Sequence, residues 1–271
     1  MPELPEVETT ANGIRPHLLN NTIRQVIIRE SRLRWPTPRG LSGKLQGQTV
    51  TNLSRRGKYL IFSFDTGHML VHLGMSGSLR ITDATLPPKK HDHIDWVLNT
   101  GKALRFCDPR RFGSVHWTIK NPQEHPLLRE LGPEPLSADF DNALLFNKSR
   151  KRKIPVKQFI MDAHIVVGVG NIYANEALFL AGIRPRRAAG RISRQHAEKL
   201  TTAIKQVLAA AIKQGGTTLR DFVNEQGQPG YFRQQLNVYE RQGQPCHVCH
   251  TVIKKVVIGQ RSSYYCKQCQ R

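Results

Sequence analysis

The sequence predicts an α+β multidomain protein. An N-terminal antiparallel β-sandwich with an N-terminal helix precedes a helical domain, and a small metal-pinned hairpin ends the chain. Three observations predict it. Between residues 22 and 117 lie about eight short runs rich in β-branched and aromatic residues, split by turn signals such as Asp65-Thr66-Gly67 and Asn99-Thr100-Gly101. In the second half the hydrophobic spacing becomes helical. Near the C-terminus stand Cys246-x2-Cys249 and Cys266-x2-Cys269.

The first helix is signalled by Val7, Ala11, Ile14 and Leu18, with Pro5 in its first turn and Glu3 and Glu6 complementing its dipole. The strands are expected over Thr22–Ile28, Gln48–Leu53, Tyr59–Phe64, Met69–Leu73, Ser78–Thr82, Ile94–Leu98, Ala103–Cys107 and Ser114–Trp117. That number at that spacing suits a sandwich or barrel. Pro122, Pro126, Pro133 and Pro135 within residues 121–141 mark a boundary. The domains are then 1–132, a linker 133–150, a helical domain 151–235, and a hairpin 236–271. Over Arg194–Gln214 the residues Leu200, Ile204, Val207, Leu208 and Ala211 form one stripe, with Ser193 as N-cap and Gly215-Gly216 as the stop. The glycine-rich Val167–Ile172 leads into a helical Tyr173–Ala181, where backbone amides suit phosphate. The stretch lacks the third glycine of a dinucleotide fingerprint, which argues against a nicotinamide enzyme.

The 271 residues carry 41 Lys and Arg against 20 Asp and Glu, a net charge of +21. Such an excess attracts a polyanion, with nucleic acid first and an anionic membrane surface second. No run of eighteen apolar residues and no signal peptide is apparent, so the reducing cytoplasm is the expected compartment and disulfides are disfavoured. Two runs hold no acid: Lys148, Arg150, Lys151, Arg152, Lys153 and Lys157, then Arg184, Arg186, Arg187, Arg191 and Arg194. Each reads as a solvated face or as a phosphate-tracking surface, and two such runs in one half favour the second.

Two Cys-x2-Cys knuckles sixteen residues apart complete a tetrahedron around one Zn²⁺. Four thiolates leave no open position, so the zinc is structural. Disulfides and an iron–sulfur cluster are the lesser alternatives. The β-like Val252–Ile258 and Ser262–Tyr265 make the intervening segment a hairpin, and the metal holds its basic side chains in place. His247 and His250 read as bystanders, and Cys107 as a buried apolar residue.

The opening Met1-Pro2-Glu3-Leu4-Pro5-Glu6 carries a second chemistry. Trimming of Met1 before the small Pro2 exposes a secondary amine. An α-amino group titrates near ~8, so part of it is a nucleophile at physiological pH. Glu3 and Glu6 stand beside it as proton carriers. Lys58, in Arg55-Arg56-Gly57-Lys58, marks a solvent edge, or serves as a cation contacting phosphate or as a proton carrier. Asp108–Gly113 reads as a turn projecting Arg110, Arg111 and Phe112, either a salt-bridged loop or a base-edge contact with a wedge into the stack. Met75 occupies a similar tip in Gly74-Met75-Ser76-Gly77.

In this order the pieces resemble the bacterial formamidopyrimidine-DNA glycosylases, also called 8-oxoguanine DNA glycosylases, over essentially the whole chain. The resemblance rests on Pro2–Thr9, His72–Gly77, Lys90-His91-Asp92-His93, Asp108–Gly113, Gly132–Leu136, Val167–Ala174, Pro229–Phe232 and the hairpin with Gln260-Arg261. It implies a helix–two-turns–helix element in the helical domain and removal of oxidised purines from duplex DNA, followed by β,δ-elimination. By resemblance Pro2 is the nucleophile at C1′, Glu3 the acid/base residue, Lys58 a proton donor in strand cleavage, and Arg261 a participant in the second elimination. His91, Arg110, Lys157 and Asn171 contact the DNA backbone or opposite strand. Met75, Arg110 and Phe112 fill the gap left by the extruded nucleotide. The loop Thr217–Gln228, with Arg220, covers the lesion. The family often has Gly where this chain has Glu240 after Val238-Tyr239. The expected partner is duplex DNA with an oxidised base, bound by a monomer without membrane contact. The alternatives are an endonuclease VIII-like enzyme for oxidised pyrimidines and a non-catalytic zinc-containing DNA-binding module.

Overall fold

A computed structural model describes residues 2–216 and 236–271, which fall into two compact units: 2–130 with 214–216, and 131–213 with 236–271. The expectations placed on Thr217–Gln228, Arg220 and Pro229–Phe232 lie outside the described residues.

The first unit starts with helix α1 (Leu4–Leu18). Its Leu4, Val7, Ala11, Ile14 and Leu18 recur every three or four residues and are all buried, the pattern of a helix whose one face meets a core. Eight strands follow: β1 (Ile23–Ile28), β2 (Asn52–Arg56), β3 (Tyr59–Phe64), β4 (Gly67–His72), β5 (Ser78–Asp83), β6 (Asp92–Leu98), β7 (Lys102–Cys107) and β8 (Ser114–Thr118), with a short α2 (Leu41–Leu45) after β1. They form two four-stranded sheets, ordered β1-β6-β7-β5 and β2-β3-β4-β8, and every pairing is antiparallel. The inner side chains Leu60, Phe62, Met69, Val71, Leu79, Trp96, Leu104 and Phe106 form one core with α1, as a two-sheet sandwich requires.

One strand differs from its expected place. Gln48–Leu53 was expected as a strand, but residues 48–51 make only the isolated bridge Thr22↔Thr49, and β2 runs on through Arg55 and Arg56. Two arginines reduce the β signal, yet Arg55 is held by Glu8 of α1 and by the Gly57 carbonyl.

The second unit holds α3 (Asn142–Ser149), α4 (Val156–Met161), α5 (Asn171–Leu180), α6 (Arg194–Lys213) and a two-stranded hairpin of β9 (Lys254–Ile258) with β10 (Arg261–Tyr265). The stretch 133–150, expected as a linker, carries α3, capped by Asp141 through the Leu144 N–H at 2.7 Å and burying Leu145. Turns over 162–170 separate α4 from α5. The α6 stripe is buried as expected, and the Ser193 hydroxyl accepts the His196 N–H at 3.1 Å. No described helix is long and apolar enough to cross a membrane.

Candidate active centre and nucleic-acid interface

In the first unit Pro2 is buried immediately before Glu3, the residue that opens α1. Glu3 is 2 % exposed and Glu6 fully buried. The Glu3 N–H donates to Glu6 Oε2 at 2.8 Å, so a carboxylate one turn into the helix fixes the direction in which the chain enters it. Gly216, at φ +81, presses against the same residue: a Cβ there would come 3.1 Å from Glu6 Oε1.

Arg55 couples that helix to Lys58. Its Nε donates to Glu8 on α1 at 2.5 Å, and its Nη1 to the carbonyl of Gly57, in the turn that presents Lys58, at 2.9 Å. His72 faces the same neighbourhood. Its Nδ1 accepts the Gly74 N–H at 3.0 Å, and its ring leans on Tyr59 at 4.7 Å. Burial, then the charge of Lys58, pushes His72 down to about 4, so at neutral pH it is an uncharged imidazole with its proton on Nε2.

Met75 and the Arg110–Phe112 tip lie on adjoining loops. Gly74 adopts φ +67, and a Cβ on it would sit 2.3 Å from the Phe112 carbonyl carbon, so only glycine allows the approach. Phe112 is 42 % exposed, and the Arg110 guanidinium lies 4.8 Å from its ring centre. His91 borders this tip, its carbonyl accepting the Asp108 N–H at 3.0 Å.

In the second unit Lys157 is 1 % exposed, and its ammonium donates to Asn171 Oδ1 at 2.5 Å, Ser263 Oγ at 2.7 Å and the Ser262 carbonyl at 2.9 Å. One lysine therefore joins α4, the first residue of α5 and the strand that begins with Arg261. Gly259 and Gln260 both have positive φ, 55 and 60, which makes the β9–β10 turn a tight two-residue hairpin. A Cβ on Gly259 would come 2.3 Å from Gln158 Nε2, so α4 packs directly on the turn preceding Arg261. The sequence names Lys157, Asn171 and Arg261 separately; the fold makes them neighbours.

Glu176 and Asn175 on α5 were not anticipated. The Glu176 carboxylate, 1 % exposed, accepts the backbone N–H groups of Asn237, Val238 and Tyr239 and the Asn237 side-chain amide, all within 3.0 Å. Asn175 Oδ1 accepts the Tyr264 N–H at 2.7 Å. Both anchor the hairpin module to α5. No motif signals them, because a lone acid inside an apolar helix has no spacing partner in the sequence. Glu240 is exposed and has φ 58, a backbone that favours glycine.

The sulfurs of Cys246, Cys249, Cys266 and Cys269 all lie within 4.8 Å of one another. The separations Cys249–Cys266 and Cys249–Cys269 are 3.4 Å and Cys246–Cys269 is 3.9 Å. Zinc–sulfur bonds of about 2.3 Å set tetrahedral edges of about 3.8 Å, whereas a disulfide needs about 2.0 Å. The donor set fits one structural zinc.

The basic runs divide. Arg150 is consumed internally, donating to the Phe146 and Ile192 carbonyls, and Arg184 grips the carbonyls of Lys267 and Gln270. Lys151, Arg152 and Lys153 stay exposed and lie alongside the second run, because Gly190 N–H donates to the Arg152 carbonyl at 2.8 Å and Val156 N–H to the Arg187 carbonyl at 2.7 Å. Arg187 and Lys199 help lower the affinity of His196 for its proton, after burial, a sign of the local positive field.

Comparison with known proteins agrees with these features. Family models match the formamidopyrimidine-DNA glycosylase N-terminal domain at residues 1–115, its H2TH domain at 131–223, and the zinc finger found in FPG and IleRS at 243–271. A formamidopyrimidine-DNA glycosylase of Alteromonas mediterranea is 59 % identical over 272 residues, covering 100 % of each chain. The crystal structure of the MutM (FPG) protein from Thermus thermophilus superposes with a TM-score of 0.89 at 37 % identity, over 99 % of this chain and 98 % of that one. The Lactococcus lactis FPG (MutM) complexed with a Fapy-dG-containing DNA gives 0.91 at 32 % identity, over 99 % and 100 %.

Proposed function

The chain belongs to the formamidopyrimidine-DNA glycosylase family, and on that premise we propose how its own residues remove oxidised purines from duplex DNA and cut the abasic strand. The observation that carries the reading is the buried start of α1. There Pro2 immediately precedes Glu3, and Glu6 fixes the backbone between them and the helix. With Met1 trimmed, the Pro2 nitrogen is a secondary amine. Its lone pair attacks C1′ of the damaged nucleoside, and the C1′–N bond breaks as a proton reaches the departing base from Glu3 or its relay. The Pro2 nitrogen then gives up its own proton and the C1′–O4′ bond opens, O4′ taking a proton, so that nitrogen and C1′ form an iminium that acidifies the adjacent sugar carbon. Loss of a proton there expels the 3′ phosphate, and a second elimination expels the 5′ phosphate. Lys58 serves as proton donor in strand cleavage, and Arg261 assists the second elimination and grips phosphate.

Attack at C1′ requires the nucleotide out of the stack, which leaves a hole that must be filled. Met75, Arg110 and Phe112 at loop tips supply an aliphatic, a hydrogen-bonding and an aromatic filler. His91 and Asn171 hold the backbone, and the exposed basic residues of the second unit add sequence-independent attraction. Asn171 meets phosphate directly, while buried Lys157 sets its side chain and lends positive charge from behind. The zinc takes no step: Cys246, Cys249, Cys266 and Cys269 hold it to keep the hairpin bearing Arg261 in shape. The domain division proposed with this reading is catalytic residues 1–132, a 133–150 connection that contributes α3, helical 151–235 and zinc hairpin 236–271. One chain carries every group the reaction needs, which supports a monomer, and a duplex DNA substrate supports work in the cytoplasm without membrane contact.

The test uses duplexes with a single 8-oxoguanine or a single thymine glycol under single-turnover conditions. Release of 8-oxoguanine with strand scission is expected to be faster. Faster release of thymine glycol would assign the chain to oxidised pyrimidines instead.

A further inference from the structure

Asp108 is fully buried and sits at the base of the Arg110–Phe112 tip, where the proposed chemistry gives it no task. Its two carboxylate oxygens are nevertheless fully engaged. Oδ1 accepts the Ser76 hydroxyl at 2.7 Å and the Arg110 N–H at 3.3 Å, and Oδ2 accepts the Gly113 N–H at 2.7 Å. The Ser76 oxygen in turn accepts the Arg110 N–H at 3.2 Å. Ser76 is 5 % exposed and follows Met75 directly. The backbone of Asp108 is fixed as well: its N–H donates to the His91 carbonyl at 3.0 Å, and its carbonyl accepts from His93 Nε2 at 2.8 Å and from the Arg111 N–H at 3.2 Å. The two loops are otherwise joined by close backbone approach, with Gly74 against Phe112 and Gly113 against the His72 carbonyl.

We propose that Asp108 and Ser76 are positioning residues that latch the Met75 loop to the Arg110–Phe112 loop, so that the three side chains enter the DNA as one pre-assembled plug. The proposal rests on the assignment of those three residues to the vacated base position. A hole in the duplex is filled only when all three arrive together. Two independently moving loops would each lose conformational freedom at that moment, and joining them beforehand removes that cost from the insertion step. A carboxylate is the suited fastener, because hydrogen bonds to a charged acceptor are the stronger ones and burial excludes competing water. Arg111 takes φ 55 between the two inserting residues, and its backbone bond to Asp108 holds the turn that points Arg110 and Phe112 the same way.

The test compares Ser76→Ala and Asp108→Asn with Met75→Ala on two substrates. One is a duplex with a single 8-oxoguanine. The other is a single-stranded abasic oligonucleotide, which has no stack to fill and reports only amine chemistry through borohydride trapping. Ser76→Ala is expected to slow duplex excision by roughly tenfold or more, the weight of one hydrogen bond to a charged acceptor, while single-strand trapping stays within about twofold. The double variant Met75→Ala/Ser76→Ala should be little slower than Met75→Ala alone, because the latch then ties the Arg110–Phe112 loop to a tip that no longer fills any of the hole. Parallel loss on both substrates in Ser76→Ala and Asp108→Asn would reduce the latch to a fold element and overturn the proposal. Unimpaired Ser76→Ala beside an impaired Met75→Ala would overturn the latch alone. Unimpaired Met75→Ala would remove the plug assignment on which the latch rests.

Discussion

Replacing Glu176 by Gln should cut the zinc hairpin's main tether while leaving the packing volume unchanged. Oε1 accepts the Val238 and Tyr239 N–H groups, each at 2.9 Å, and Oε2 accepts the Asn237 N–H at 2.7 Å and its side-chain amide at 3.0 Å. A glutamine keeps one oxygen and turns the other into an NH2 that faces two donors. Two hydrogen bonds to a buried charge are lost, at about 1.5–3 kcal/mol each, so the cost is about 3–6 kcal/mol. At about 4 °C per kcal/mol for a unit of this size, the midpoint should fall by upward of ~12 °C. Trp35, Trp96 and Trp117 all belong to the first unit, so tryptophan fluorescence would miss the event. Zinc release to a colorimetric chelator during a thermal ramp reports it directly. A midpoint within about 2 °C of the parent would refute the reasoning, because no relaxed geometry lets an amide satisfy four donors.

Removing the metal, by chelation or by Cys249→Ser, should unpin the strand bearing Arg261, weaken DNA binding and shift a salt titration measurably; unchanged affinity with full activity after metal loss would contradict it. Acid should destabilise the first unit through His72. The unfolded imidazole takes a proton below about 6.5 while the folded one stays neutral to about 4. Stability is therefore full above pH 6.5 and declines as pH falls toward 4, by roughly 3 kcal/mol in all. His116, also pushed down to about 4 by burial, adds to the same decline. Denaturant midpoints against pH for the parent and His72→Asn, whose side-chain oxygen can still accept the Gly74 N–H, should show the slope reduced, and an equal slope would argue against it. Glu240→Gly should stabilise the second unit by up to about 1 kcal/mol, since a left-handed backbone is strained for any residue with a Cβ, and should raise DNA affinity at low salt. A fall in either the zinc-release midpoint or the affinity would show that Glu240 has a role of its own.

Much of the fold was legible because the sandwich advertises itself through β-branched runs and turns, and the zinc hairpin through two knuckles. The Gln48–Leu53 strand was misplaced because apolar Val50 outweighs two arginines locally, whereas Arg55 is accommodated in the strand by Glu8, 47 residues away. Helix α3 hid behind prolines that lie before its cap, with only Leu145 and Ser149 of its residues buried. Of the site, the residues carried by motifs could be named. The residues that support them could not: Arg55 between Glu8 and the Lys58 turn, Asp108 between two loops, and Glu176 beneath Tyr239 act through contacts distant in the chain. Lys157 shows the same limit from the other side. A lysine in a basic run reads as solvent-facing, and only the fold shows its ammonium turned inward onto Asn171, Ser262 and Ser263.

The central claim is that the Pro2 nitrogen becomes covalently joined to the sugar. Borohydride reduction during turnover on an 8-oxoguanine duplex, followed by proteolysis and mass spectrometry of the cross-linked peptide, reads it directly. A stable adduct is expected on an N-terminal peptide that begins at Pro2, absent when the amine is acylated beforehand. An adduct on a lysine side chain, or normal base release and strand scission by the acylated protein, would contradict it.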